Sequence, residues 1–322
     1  SQEDYFGLAA FFSRVDRKGG TGVAERRANE AIFVKSTGSV KHPVTGEVVL
    51  PHGLGQPEQT IPPFADPRSH LVDWMTQPDN PYFARAFVNR MWAHFFGRGL
   101  VDPLDDLRVT NPASNEPLLE ALSREFVESG FDMKRIVELI CSSTTYQLSS
   151  HPNEHNLTDT QNFSRFYPQR LTAEVLLDAI DQATGVPTSY SGLPKGTRAL
   201  QLPDEDYSNE FLNLFGRPPR DSACECERSA EPSLSQSLFA MNDQFSLGKV
   251  TSGNSLAAKL AKDQSDPSQR IREMFLSTLS RAPNSRETQD AMDYLKEETD
   301  PKKAFGNLLW VLINTKEFQY VH

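Results

Sequence analysis

Apolar positions recur at helical spacing over most of the chain from Pro67 onward. Asp66-Pro67 opens a run through Leu71, Val72, Trp74 and Met75. The strongest run follows Asn80-Pro81, which predict a cap and a first turn. Phe83, Ala84, Phe87, Val88, Met91, Trp92, Phe95 and Phe96 cover more than half of a helix circumference, and Gly97 should end that helix. So wide an apolar arc predicts burial on several sides and a central strut. Helices are also predicted over about 115–129, over 132–144 behind an Asp132 cap, and from Thr172 to Gly185. A short turn of helix is predicted at Phe211 to Phe215, and a helix from Pro232 to Met241. Near the C-terminus, Asp266-Pro267 with Gln269 and Asn284 with Glu287 resemble capping boxes. Asp300-Pro301 starts a final run through Phe305, Leu308, Leu309, Val311, Leu312 and Phe318.

The first third reads differently. Phe6, Leu8, Ala9, Phe12 and Val15 predict an amphipathic helix over Ser1 to Val15. Ala31 to Lys35 and Glu47 to Leu50 are short β-like runs, separated by turn signals at Thr37-Gly38 and Thr45-Gly46. They predict a small meander of two or three strands, which must pack on something helical. Pro51, Pro57, Pro62, Pro63 and Pro67 mark an extended connector. The expected fold class is mainly α: a multi-helix orthogonal bundle with a small N-terminal β-meander. The expected organisation is 1–66 (a tail of a preceding domain, the meander and the connector), 67–248 (the main helical domain) and 249–322 (a C-terminal helical subdomain).

Length and charge narrow the function classes. The chain has 322 residues and a formal charge of −10. That length suits one large or two modest domains. The negative balance argues against a broad nucleic-acid surface, because no cationic excess exists to displace phosphate counterions. No apolar run approaches the 18 residues or so that a membrane span needs. Three Cys exclude a disulfide framework as the main stabiliser. No charged-then-apolar leader follows Ser1, so the chain reads as an excised piece or a processed product.

Two constellations carry candidate chemistry. The densest is Phe215 to Arg228, which holds Arg217, Arg220, Asp221, Cys224, Glu225, Cys226, Glu227 and Arg228. In an extended strand Cys224 and Cys226 share one face, and Glu225 and Glu227 share the other. One reading is a thiolate pair, as a soft metal site or a redox dithiol, with the arginines favouring the thiolate. Two thiolates are too few for a structural zinc, so Cys141 and a His would have to join. The other reading, which we favour, is a loop pinned by Arg–carboxylate pairs with two small thiols tucked into the core. Neighbours two apart make poor disulfide geometry, and Cys141 with either one is the better bridge in an oxidising compartment. The second constellation is Asn89, Arg90 and His94 on the strut. Arg90 and His94 are four apart and stack on one face, beside Phe83 and Phe87. Asp102, Asp105 or Asp106 in the following loop would supply the arginine's partner. The functional reading is an anion-binding arginine with a proton-transfer histidine. The structural reading is an Arg–Asp clamp, and it is favoured. The three Asp do not have the spacing of a known calcium loop. His42, His52 and His70 are expected at the surface. No nucleophile elbow, phosphate-binding glycine loop, His-Glu-x-x-His or haem-attachment motif is present.

Several strings together resemble a known family. They are Ser69 to Gly99, Leu100-Val-Asp-Pro-Leu-Asp-Asp106, Ser143-Thr-Thr-Tyr-Gln-Leu-Ser149, Arg170-Leu-Thr-Ala-Glu-Val-Leu-Leu-Asp-Ala-Ile180, and Arg217-Pro-Pro-Arg220 with Cys224-Glu-Cys-Glu-Arg228. Over roughly residues 60–320 they resemble an uncharacterised domain family abundant in planctomycetes and related bacteria. It stands C-terminal in large exported proteins, often with a planctomycete-type cytochrome c domain. Ser1 to Val15 resembles the tail of the domain before it. The resemblance implies an extracytoplasmic setting, with haem in a neighbouring domain and no cofactor in this chain. It places Asn89, Arg90, Trp92, His94, Arg170 and the 217–228 loop on family motifs but assigns none a catalytic role. The expected function is a non-catalytic scaffold or binding domain. Its expected partners are the parent protein's other domains or an envelope polysaccharide, with no nucleic acid. The alternative is a hydrolytic or redox-linked enzyme using the 217–228 loop with Arg90 and His94. A metal module on Cys224 and Cys226 is a weaker third idea.

Overall fold

The computed structural model describes residues 1–18, 31–203, 207, 209–218 and 244–321. It is mainly helical, with short antiparallel strand pairs. Contacts divide it into two compact units: Ser1–Leu148 with His155–Ser164, and Ser149–Glu154 with the chain from Arg165 onward. Positions 66 and 248, read from the sequence as segment ends, each fall inside a unit.

The first unit opens with α1 (Gln2–Ala10), whose first turn is closed by a reciprocal Ser1–Asp4 capping box. The helix is shorter than the periodicity predicts. Val15 instead begins β1 (Val15–Lys18), which pairs with β2 (Ala31–Val34). β3 (Val40–Lys41) pairs with β4 (Val48–Val49), with Gly46 at φ +74 in the turn between them. The two β-like runs therefore each find a partner, but not each other. α1 packs on β3 and β4. At that contact Gly7 lies so close to His52 that a Cβ would overlap the imidazole ring. His52, expected at the surface, is buried by this approach, with Nδ1 3.0 Å from the Leu50 carbonyl oxygen. The proline-rich connector is pinned by Arg14, whose guanidinium donates to the carbonyls of Ile61 (2.9 Å), Pro62 (2.6 Å) and Ala65 (3.0 Å).

α2 (Pro67–Met75) starts at Asp66, which accepts from the Arg68 N–H. α3 (Phe83–Phe96) is the predicted strut. Its N-cap is Tyr82, but Asn80 still does the capping work: its Oδ1 accepts from the N–H of both Tyr82 and Phe83. Gly97 ends the helix at φ +76, where a side chain would be strained. α4 (Glu116–Glu128) and α5 (Met133–Ser142, capped by Asp132) pack on α3. Ala84, Val88, Trp92 and Phe96 line the buried face. Phe83 and Phe87 are half-buried against Phe126, the latter stacked at 4.3 Å. Arg90 and His94, further along that second face, are exposed. The strut is thus enclosed along one face and only partly along the next.

The second unit holds β5 (Gln169–Arg170), α6 (Ala173–Thr184), α7 (Glu210–Leu214), α8 (Gln244–Thr251), α9 (Leu256–Lys262), α10 (Pro267–Leu279), α11 (Ser285–Glu297), α12 (Pro301–Ile313), α13 (Lys316–Gln319) and β6 (Tyr320–Val321), which pairs with β5. Thr172 and Gly185 bound α6 as predicted, Gly185 at φ +70. Asn284 and Glu287 form a reciprocal capping box. Asp266 caps α10 through the Ser268 N–H rather than with Gln269. Phe318 belongs to α13, because Thr315 caps a new helix after α12 ends. Leu176, Leu177, Leu212, Ile271, Met274, Phe305 and Leu309 form the centre of this unit's core. The predicted Pro232–Met241 helix lies outside the described residues.

Candidate functional site

In the first unit the Asn89, Arg90 and His94 constellation separates into three behaviours. Asn89 is fully buried. Its Nδ2 donates to the Val101 carbonyl and its Oδ1 accepts from the Val101 N–H, both at 2.8 Å. One amide side chain thereby satisfies both backbone groups of a buried residue. Gly99 makes room for this staple, since a Cβ there would overlap the Val101 carbonyl and crowd the Asn89 amide. Arg90 pairs with Asp105, as one of the loop aspartates was expected to do. Asp102 pairs with Arg98 at 3.4 Å and Asp106 with Arg108 at 2.6 Å, so the three acids go to three different arginines. His94 is exposed, edge-on to Phe95, with no hydrogen-bond partner among the described residues.

The second unit places Arg170 and Arg217 around one turn of chain. Arg170 lies 4.7 Å over the Phe215 ring, and burial pulls its guanidinium below the usual range, with Tyr320 opposing. Arg217 donates to the Tyr207 carbonyl (3.1 Å) and to Asn213 Oδ1 (3.0 Å), just past Gly216 at φ +87. Arg220, Cys224, Glu225, Cys226, Glu227 and Arg228 lie outside the described residues. Cys141 stands half-buried on α5. Among the described residues no group of three or more His, Cys, Asp and Glu is placed to hold a metal ion.

Sequence reasoning missed a buried polar cluster in the second unit. Glu174, Asp178 and Asp181 stand at i, i+4 and i+7 on α6, so one face of the helix carries three carboxylates. Asp178 accepts from the Ala199 N–H (2.7 Å) and from Arg198 Nε (3.2 Å). Asp181 receives Lys249 Nζ at 2.7 Å and both the N–H and the hydroxyl of Thr188. Lys249 keeps only 6% of its side chain in water, and also donates to the Val186 carbonyl and Thr188 Oγ1. Beside this network the Tyr190 hydroxyl is buried, with no hydrogen-bond partner among the described residues. Burial first, then the Asp181 and Asp178 charges, push its pKa up to about 12, against a weaker opposing pull from Arg217. The signal available was the acidic row on an otherwise apolar helix, which requires cations on the packed side.

A family model described as PSD1, protein of unknown function (DUF1553), matches residues 67–295. The chain belongs to this family. No curated protein and no solved structure matches it. Every candidate site residue, from Asn89 to Arg228, falls inside the matched span, as do Asp178, Asp181, Tyr190 and Lys249. Residues 1–66, with α1, the two strand pairs and the Arg14-pinned connector, precede it.

A groove of about 550 Å³ runs over α10, α11 and α12, floored by Phe275, Ala291, Leu308 and Val311. At its edge Arg281 clamps Glu287 and Glu317 together. That clamp draws Glu287 down to about 2 and raises the Arg281 pKa. No helix among the described residues is long and apolar enough to cross a membrane.

Proposed function

We propose that this DUF1553 chain is a non-catalytic scaffold and binding module of a larger extracytoplasmic envelope protein. It docks on a neighbouring protein domain of that parent, a cytochrome c-type domain being the neighbour that the resemblance implies, or on an envelope polysaccharide. The observation that carries this reading is the disposition of apolar side chains. Among the described residues, ten of the nineteen exposed large hydrophobic side chains fall in the first 82 positions, among them Tyr5, Phe12, Ile32, Phe33, Val44, Phe64 and Tyr82. Meanwhile Asn89 and Lys249 are committed to buried staples, and Arg90 and Arg281 to ion pairs. Apolar groups left in water while polar groups are saturated elsewhere are what a docking surface requires. The trial is a binding measurement of the chain against purified neighbouring domains and against envelope glycans. Saturable binding to a protein domain supports the reading, and binding to neither contradicts it.

A second reading, a hydrolytic or redox-linked enzyme using the 217–228 loop with Arg90 and His94, draws on one observation. The Tyr190 hydroxyl, without a hydrogen-bond partner among the described residues, feels the charges of Asp181, Asp178 and Arg217. Turnover of any substrate that is lost in Tyr190→Phe or His94→Ala, with folding intact, would establish it over the scaffold reading.

A further inference from the structure

The groove over α10, α11 and α12 belongs wholly to the second unit and shares no lining residue with the acidic row on α6. Its volume of about 550 Å³ falls within the roughly 300–1,000 Å³ of small-molecule sites. The helices that wall it have fixed starts: Asp266 caps α10, the Asn284–Glu287 box opens α11 and Asp300 caps α12. Phe275, Ala291 and Leu312 are buried at its base, whereas Val311 leaves 51% of its surface in water. The groove is therefore built before any ligand arrives, and part of its apolar lining is still wet.

The polar lining selects by charge. Among the described residues three carboxylates, Glu287, Asp290 and Glu317, line the groove, and no Lys, Arg or His does. Glu287 and Glu317 share the Arg281 guanidinium, while Asp290 meets Arg286 only at 3.8 Å, with both side chains largely in water. Asn307 donates an amide N–H to the Tyr294 hydroxyl oxygen at 2.6 Å, and its amide oxygen has no hydrogen-bond partner among the described residues. What the groove offers a ligand is thus mainly acceptors. Three aromatic rings, Phe275, Tyr294 and Trp310, border the same space. One of them already carries a cation, since the Arg281 guanidinium stands 5.8 Å over the Phe275 ring. Asp290 and Tyr294 are four apart on α11 and share a face, so a carboxylate and a ring stand together. Aromatic faces and carboxylates beside an apolar base attract a positive charge and repel a negative one.

We propose that this groove binds a small protonated organic amine, whose aryl or alkyl body covers Leu308 and Val311 and whose ammonium faces Asp290 and the Tyr294 ring. It goes beyond the docking reading, which rests on the first 82 positions. The test is a titration of the full chain, ¹⁵N-labelled, followed at its tryptophan indole N–H signals. Trp310 borders the groove, and Trp74 and Trp92, both buried in the first unit, serve as references. The probes are 4-phenylbutylamine, its neutral counterpart 4-phenylbutanol and the anion 4-phenylbutyrate. The amine should shift the Trp310 signal saturably and alone, binding about tenfold tighter than the alcohol, with the carboxylate weakest. Asp290→Asn should weaken the amine about threefold and leave the alcohol unchanged. Val311→Arg, at a half-exposed position that carries no core packing, should remove amine binding by placing a cation in the groove. No saturable shift by about 10 mM, where so small a probe should bind, overturns the proposal. So do equal affinity for the alcohol, an amine preference that survives Asp290→Asn, binding that survives Val311→Arg, or movement of all three indoles together. A Trp310 signal that moves with protein concentration alone assigns the groove to a second copy of the chain and also overturns it.

Discussion

Asn89 and Arg90 are adjacent on α3, yet burial separates their energetic roles. Removing the Asn89 amide leaves the N–H and C=O of Val101 buried and unpaired, at roughly 1–3 kcal/mol for each unsatisfied group. Asn89→Ala should therefore lower unfolding stability by about 2–4 kcal/mol in a denaturant titration. Arg90→Ala breaks an exposed pair and should cost no more than about 1 kcal/mol. Equal losses in the two variants would contradict this assignment. Lys249 gives the sharper contrast. Lys249→Ala strands Asp181 in a buried site and should cost about 3–5 kcal/mol, whereas Asp181→Asn with Lys249→Met removes both charges and should cost clearly less. The sequence drew attention to Asn89 only through the company of Arg90 and His94. Nothing local marks Lys249 as buried, because its partner lies 68 positions earlier, on α6. The acidic row on α6 was the readable half of that pair.

The helices were largely legible because their boundaries are set locally. Asp132, Asn284 and Gly97 act where the sequence puts them, through a cap hydrogen bond or a left-handed residue. Strand pairing was not legible, since β2 takes β1 as its partner across a long intervening segment and no local signal names that partner. The docking of α1 depends on one such non-local contact. Gly7→Ala should push α1 off the β3–β4 pair, seen as faster hydrogen exchange over residues 2–10. Adding His52→Ala should restore part of the protection by opening the space. No change in exchange on Gly7→Ala would refute the contact. The Arg281 clamp ties the start of α11 to α13 and carries a pH dependence. Glu287 ionises near 2 when folded, against an ordinary 4.5, so its contribution is complete above about 4.5 and declines as pH falls toward 2. Arg281→Gln should flatten that part of the stability–pH curve, and an unchanged acid limb would count against the clamp.

Across the whole chain, charge and apolar surface are distributed for different purposes. The chain carries a formal charge of −10, and among the described residues just over half of the exposed large hydrophobic side chains lie in the first 82 positions. Most of those in the first 82 positions precede the span matched by the DUF1553 family, so the docking surface proposed above would fall largely on the flanking segment rather than on the family core. The mainly helical class was readable from periodicity, because buried faces repeat every three to four residues. The division into two units was not, because each unit draws in a piece of chain from the other's sequence range: His155–Ser164 joins the first, and Ser149–Glu154 the second. The most direct test of the scaffold reading is a calorimetric titration of this chain with the neighbouring domain which that reading proposes as its partner, at several temperatures. The account expects saturable binding with a negative heat-capacity change and little dependence on salt, as apolar burial dictates. Absence of binding, or binding that weakens steeply with salt and shows no heat-capacity change, would contradict it.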